Sequence, residues 1–140
     1  MTPTVTAAPT AHRVDRLIDR IPWLAQALSA LWAAVSLVIG LAGLSASSGN
    51  FTGLATHPAS AIGIQVNGVM SLIHIAIGVL MGVATARRAS ASVALRFFFA
   101  TNLIMFLLGI YLIGHPGRNW LGVGTSTNIL HLSLMIGAVL

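Results

Sequence analysis

Cysteine, lysine and glutamate are missing from this chain, and its only carboxylates, Asp15 and Asp19, lie near the amino terminus. Without cysteine there is no disulfide, no thiolate metal ligand and no sulfur nucleophile. No carboxylate lies within the apolar runs, so none is available there to orient a histidine as acid–base or triad chemistry wants. The acidic groups that pumps and proton relays place within the membrane are missing too. Charge is scarce altogether: 6% of residues carry it, against roughly 25% in a soluble domain. Too few polar side chains remain to cover a water-facing exterior.

What is present is apolar. The 140 residues are 56% hydrophobic, with a mean hydropathy of +0.93. The net charge of +5 comes from seven arginines grouped beside apolar runs. Such placement marks membrane topology and contact with anionic headgroups, and argues against nucleic acid as a partner.

The sequence predicts an all-α fold: a four-transmembrane-helix bundle preceded by a short N-terminal amphipathic interfacial helix. Residues 1–22 form a cytoplasmic tail plus that helix, with Val14, Leu17, Ile18 and Ile21 at helical spacing among arginines and aspartates. Residues 23–140 form the transmembrane domain, with spans near 23–44, 61–86, 93–114 and 124–140. A crossing needs about 20 residues. The first span exceeds the apolar stretch of a secretory signal, although Ser45-Ala46-Ser47 resembles a cleavage site. Arg13, Arg16, Arg20, Arg87, Arg88 and Arg96 fall on one side of the bundle and Arg118 alone on the other. That asymmetry predicts a multi-pass protein of the cytoplasmic (inner) membrane with both termini cytoplasmic.

In lipid, helices associate by close packing and interhelical hydrogen bonds, so the seams should be small and polar. Ser29, Ala33, Ser36, Gly40, Gly43 and Ser47 share one face of the first span. Asn67, Ser71, His74, Gly78 and Gly82 share one face of the second. Ser36, Gly40, Gly43, Gly78 and Gly82 are the expected helix-packing positions. Phe97, Phe98, Phe99 and Phe106 read as lipid-facing or packing residues.

Asn67, His74, Asn102, Asn128 and His131 are the expected buried polar cluster, since a polar side chain in hydrocarbon is costly without a partner. Structural hydrogen bonding is the favoured role. Bis-histidine ligation of haem b by His74 and His131 is the alternative, because bundles hold cofactors in this way. On the expected span limits, however, His74 lies about 18 Å below the outer face and His131 about 11 Å, at 1.5 Å per residue. No other cofactor and no metal is expected: Asn50-Phe51-Thr52 is a weak sequon, and the His57-Pro58 and His115-Pro116 dipeptides read as solvated loops.

QVNGVMSLIHIAIGVLMGVA and GTSTNILHLSLMIGAVL each place an asparagine before a histidine and then a glycine-containing apolar run. This pattern over roughly residues 25–140 resembles the bacterial, chiefly actinobacterial, membrane family called domain of unknown function 4383. The resemblance implies the four-helix layout and places His74 and His131 in the core. It implies no activity. The functional expectation is a non-catalytic accessory or structural subunit whose partners are membrane lipids and either larger integral membrane subunits or further copies of itself. A lipid- or small-molecule-binding bundle is the remaining alternative.

Overall fold

A computed structural model describes residues 21, 23–47 and 59–138. The expected interfacial helix, Asn50 and His57 lie outside the described residues. Within them are helix α1 (Leu24–Ala46), strands β1 (Ala59–Ala61) and β2 (Ile64–Val66), helix α2 (Gly68–Ala84), helix α3 (Arg88–Gly114), a 3₁₀ turn (Pro116–Arg118) and helix α4 (Thr125–Gly137). The architecture is all-helical apart from the small hairpin. Helices α1 and α3, of 23 and 27 residues, are long and apolar enough to cross a membrane.

Three boundaries differ from those read in the sequence. The run 61–86 is not one helix. Its first residues form an antiparallel hairpin that pairs Ala59 with Val66 and Ala61 with Ile64. Hydropathy cannot separate the two conformations, because Ile64 and Val66 are as apolar as the helix that follows. The break comes from local chemistry. Asn67 adopts an extended conformation and its side chain accepts a hydrogen bond from the Met70 amide, which starts α2 at Gly68. Helix α3 begins at Arg88, five residues before the expected 93, because Ala89-Ser90-Ala91-Ser92 is helix-compatible though weakly hydrophobic. Helix α4 spans only Thr125–Gly137.

The hairpin turns at Ile62 and Gly63, both at positive φ (56° and 74°). A β-branched residue is disfavoured there, whereas Asn-Gly suits such a turn. Ile62→Asn should therefore stabilise the fold by about 1 kcal/mol, read as a rise in the unfolding midpoint of the purified protein.

The strongest helix pair is α1 with α2, followed by α3 with α4. Backbones approach closely where side chains are minimal. A Cβ added at Gly40 would lie 2.8 Å from both the Ser71 carbonyl oxygen and the Ile75 nitrogen, and one at Gly78 would lie 3.0 Å from the Ala33 carbonyl oxygen. A Cβ at Gly43 would collide with Ser71 Oγ, while Gly82 has more room, with Ala33 Cβ at 3.9 Å. Ser29 Oγ donates to the Met81 carbonyl at 3.1 Å. The two helix pairs meet where Trp32 of α1 stacks on Phe98 of α3 (5.9 Å between ring centroids), burying Phe98 while Phe97 points outward.

Candidate functional site

The middle of the bundle holds a layer of buried polar side chains, with apolar packing above and below it. Toward the hairpin lie Met70, Leu112, Leu121 and Val123; toward the Arg87 turn lie Ile77, Met81, Phe98 and Leu134. His74, Asn102, Asn128, His131 and Ser36 are all buried between helices.

The depths assigned to the two histidines from the sequence need correction. His74 is the seventh residue of α2 (68 to 74) and His131 the seventh of α4 (125 to 131). Because the second apolar run begins with a hairpin, His74 moves up to the level of His131. The rings are nearly parallel, at 12°, with centroids 5.7 Å apart. His74 Nδ1 lies 2.9 Å from the Met70 carbonyl oxygen. An oxygen can only accept, so Nδ1 carries the proton and Nε2 keeps its lone pair.

Asn67 does not belong to this layer. It sits at the α2 N-terminus, where its Nδ2 donates to the Trp120 carbonyl at 3.0 Å. Gly122, at φ +63°, passes so close that a Cβ there would lie 3.0 Å from Asn67 Nδ2. Asn102 turns back on its own helix, donating to the Phe98 carbonyl at 2.8 Å. Asn128 Oδ1 points at the place a Cβ would occupy on Gly109 of α3. The glycine hydrogen there supplies only a weak Cα–H···O contact. Asn128 Oδ1, His131 Nδ1, Ser36 Oγ and Trp32 Nε1 are buried with no conventional hydrogen-bond partner.

Residues that the sequence pattern did not single out hold the hairpin on the bundle. The Gln65 amide donates to Ser126 Oγ at 3.1 Å, Thr127 Oγ1 donates to the Gln65 carbonyl, and the Gln65 side chain fills the space beside Gly124. The signal was the run Thr125-Ser126-Thr127-Asn128 at a helix start, where hydroxyls commonly serve backbone groups.

A porphyrin does not suit the pair as it stands. Met70 and Ile77 on α2, and Thr127 and Leu134 on α4, flank the rings by about one turn and are themselves buried. A macrocycle would have to displace them. Among the described residues no three histidine or carboxylate side chains converge on a common point.

Fold and layer together define a class: a small helical protein with a buried polar layer between apolar clusters and many large apolar side chains on its exterior. Within that class, the chain belongs to the family described as domain of unknown function 4383, whose model matches residues 26–140. No curated protein and no solved structure matches it.

Proposed function

We propose that this chain is a multi-pass protein of the bacterial inner membrane with four spans and cytoplasmic termini, and that its role is non-catalytic. It acts as an accessory or structural subunit that packs against larger membrane subunits or further copies of itself. The observation that carries this reading is the inverted distribution of side chains. Leu31, Val38 and Leu41 on α1, Leu72, Val79, Leu80 and Val83 on α2, Ile104, Leu107 and Ile110 on α3, and Ile129 and Ile136 on α4 all face outward. Serine, glycine, asparagine and histidine face inward on the same helices. Water would not tolerate so continuous an apolar exterior, whereas hydrocarbon solvates it.

Helix length fits this reading once the connections are counted. At 1.5 Å per residue α2 is about 26 Å long and α4 about 20 Å, short of roughly 30 Å of hydrocarbon. The hairpin and the 115–124 connection supply the remaining depth. Their backbone is tolerable there because Val66, Leu121 and Val123 are packed inside protein. Trp23 and Trp120, both exposed, suit the two headgroup levels. The absence of carboxylates after Asp19 supports a role without acid–base chemistry.

Two measurements test the reading. Reporter fusions after residues 10 and 87 should report cytoplasm, and those after 52 and 118 the opposite side; the reverse pattern would refute the orientation. Extraction into native lipid discs should yield a stoichiometric complex with other membrane subunits or with itself. A lone monomer under those conditions would defeat the accessory role.

A further inference from the structure

Arg118 is a cation without an anion. The chain's only side-chain carboxylates, Asp15 and Asp19, precede the apolar runs. Among the described residues the Arg118 guanidinium makes one bond, from Nη1 to the Tyr111 hydroxyl at 2.8 Å. An exposed arginine loses much rotamer freedom when it is held in one place, and a single bond to a neutral hydroxyl returns little of that loss. Yet the surroundings of Arg118 are well tied down. Its amide donates to the His115 carbonyl at 2.9 Å, and its carbonyl accepts from the Trp120 amide at 3.0 Å. The Asn119 side chain closes the next turn through two bonds to the Val123 backbone, at 2.8 and 2.9 Å. The His115 ring stacks on Tyr111, with centroids 4.3 Å apart, and its Nδ1 donates to the Tyr111 carbonyl at 2.8 Å.

From this geometry we infer that Arg118 and Tyr111 form a binding site for the phosphodiester of an anionic glycerophospholipid, in the leaflet that the 115–124 connection faces. This site rests on the membrane reading proposed above and names one of its lipid partners. The guanidinium fork matches phosphate oxygens in pairs. The Tyr111 hydroxyl accepts from Arg118, so its own hydrogen remains to be donated to a further phosphate oxygen. His115 Nε2 keeps its lone pair for a headgroup hydroxyl. Gly114 and Gly117, on either side of His115, leave room for the headgroup: a Cβ at either would meet nothing within 4 Å.

Two features select a lipid of this kind. The first is the surface below the fork. Leu107 and Ile104 precede Tyr111 by four and seven residues, on the same face of α3, and both are exposed. At 1.5 Å per residue they continue the site by about 6 and 10 Å along the helix, where an acyl chain runs when its phosphate sits at headgroup depth. Trp120, also exposed, suits that depth. A free phosphate would use the fork and leave the apolar stripe bare. The second feature is charge. No carboxylate stands in α3 or in the connection to meet an ammonium headgroup, so a zwitterionic lipid would bring its own cation toward Arg118.

The test uses the full chain in mild detergent with equimolar phosphatidylglycerol and phosphatidylcholine of the same acyl chains, bound lipid being counted by native mass spectrometry. The parent protein should retain phosphatidylglycerol in preference. A hydrogen bond to a charged group is worth about 10–100-fold in affinity, and Arg118→Gln should lose at least the lower figure. Arg118→Lys keeps the charge without the fork and should fall between the two. Tyr111→Phe keeps the stack on His115 and should lose about two- to tenfold. Lipid held by the cytoplasmic arginines is common to all variants, so the differences read this site. All three substitutions alter exposed side chains, which folding tolerates. Unchanged phosphatidylglycerol affinity in Arg118→Gln would overturn the inference, as would equal retention of the two lipids by the parent. Displacement of phosphatidylglycerol by an equal concentration of inorganic phosphate would mark a free-anion site and overturn it too. The fusion after residue 118 reads orientation independently, so a failed topology and a failed lipid site give different results.

Discussion

Gly40→Leu should abolish recovery of folded protein, and Gly40→Ala should lower its stability by about 1–3 kcal/mol. The reason is where the new carbon would go. At 2.8 Å it would press on both the Ser71 carbonyl oxygen and the Ile75 amide nitrogen, which are main-chain atoms of the facing helix, and at 2.6 Å on Ile75 Cγ1. A side-chain tip could rotate away; two backbone atoms inside α2 cannot. Relief requires α1 and α2 to separate along their whole seam, lengthening the Ser29–Met81 hydrogen bond and opening the Gly78–Ala33 approach as well. Gly82→Ala provides the internal control, since its Cβ would meet only Ala33 Cβ, at an ordinary 3.9 Å. Unfolding by increasing SDS in mixed micelles, followed by helical signal, would separate the two. Equal midpoints for Gly40→Ala and the parent protein would show that the seam is looser than described.

Asn67→Ala should have a comparable effect, about 1.5–2.5 kcal/mol, combining roughly 1 kcal/mol for a lost N-cap with about 0.5–1.5 kcal/mol for the lost, part-buried hydrogen bond to the Trp120 carbonyl. One side chain does two jobs. Its oxygen accepts from the Met70 amide at 2.8 Å and so starts α2. Its nitrogen donates to the Trp120 carbonyl and so ties that helix to the 115–124 connection. Asn67→Asp separates the two roles, because a carboxylate still caps the helix but cannot donate to Trp120. Its loss should be intermediate, and hydrogen exchange should rise at the 115–124 connection while the first turn of α2 stays protected. If Asn67→Asp and Asn67→Ala destabilise equally, the bond to Trp120 carries the whole effect and the cap carries little.

Asn67 also shows where pattern reading runs out. Its spacing from Ser71 and His74 fits a helical face, and by periodicity it joins the buried stripe of α2. Its real position is one residue before the helix, because the preceding residues form a hairpin that the same hydropathy disguises. The error propagated to the site: counting depth from residue 61 set the two histidines about 7 Å apart along the bundle axis, at 1.5 Å per residue, whereas counting from Gly68 and Thr125 makes them level. By contrast, the small-residue spacing of α1 is a property of helical geometry alone. Ser29, Ala33, Ser36, Gly40 and Gly43 are all buried on one side of it. Phe97 and Phe98 are adjacent in sequence, yet one faces outward and the other stacks on Trp32. Only the position of α1 distinguishes them.

The amino-acid order by itself determined that this chain is helical and that it carries four apolar runs, of which two form helices long enough to cross a membrane, and that its only side-chain carboxylates precede those runs. Those properties follow from composition and from the period of 3.6 residues, and each belongs to a single segment. The tertiary structure decided which polar side chains meet. The parallel His74 and His131 rings, Asn128 against Gly109, and Ser126 and Thr127 on Gln65 join positions about sixty residues apart or rest on close backbone approach. Such pairings depend on where one helix begins relative to another, and a hydrogen bond at one N-cap sets that offset here.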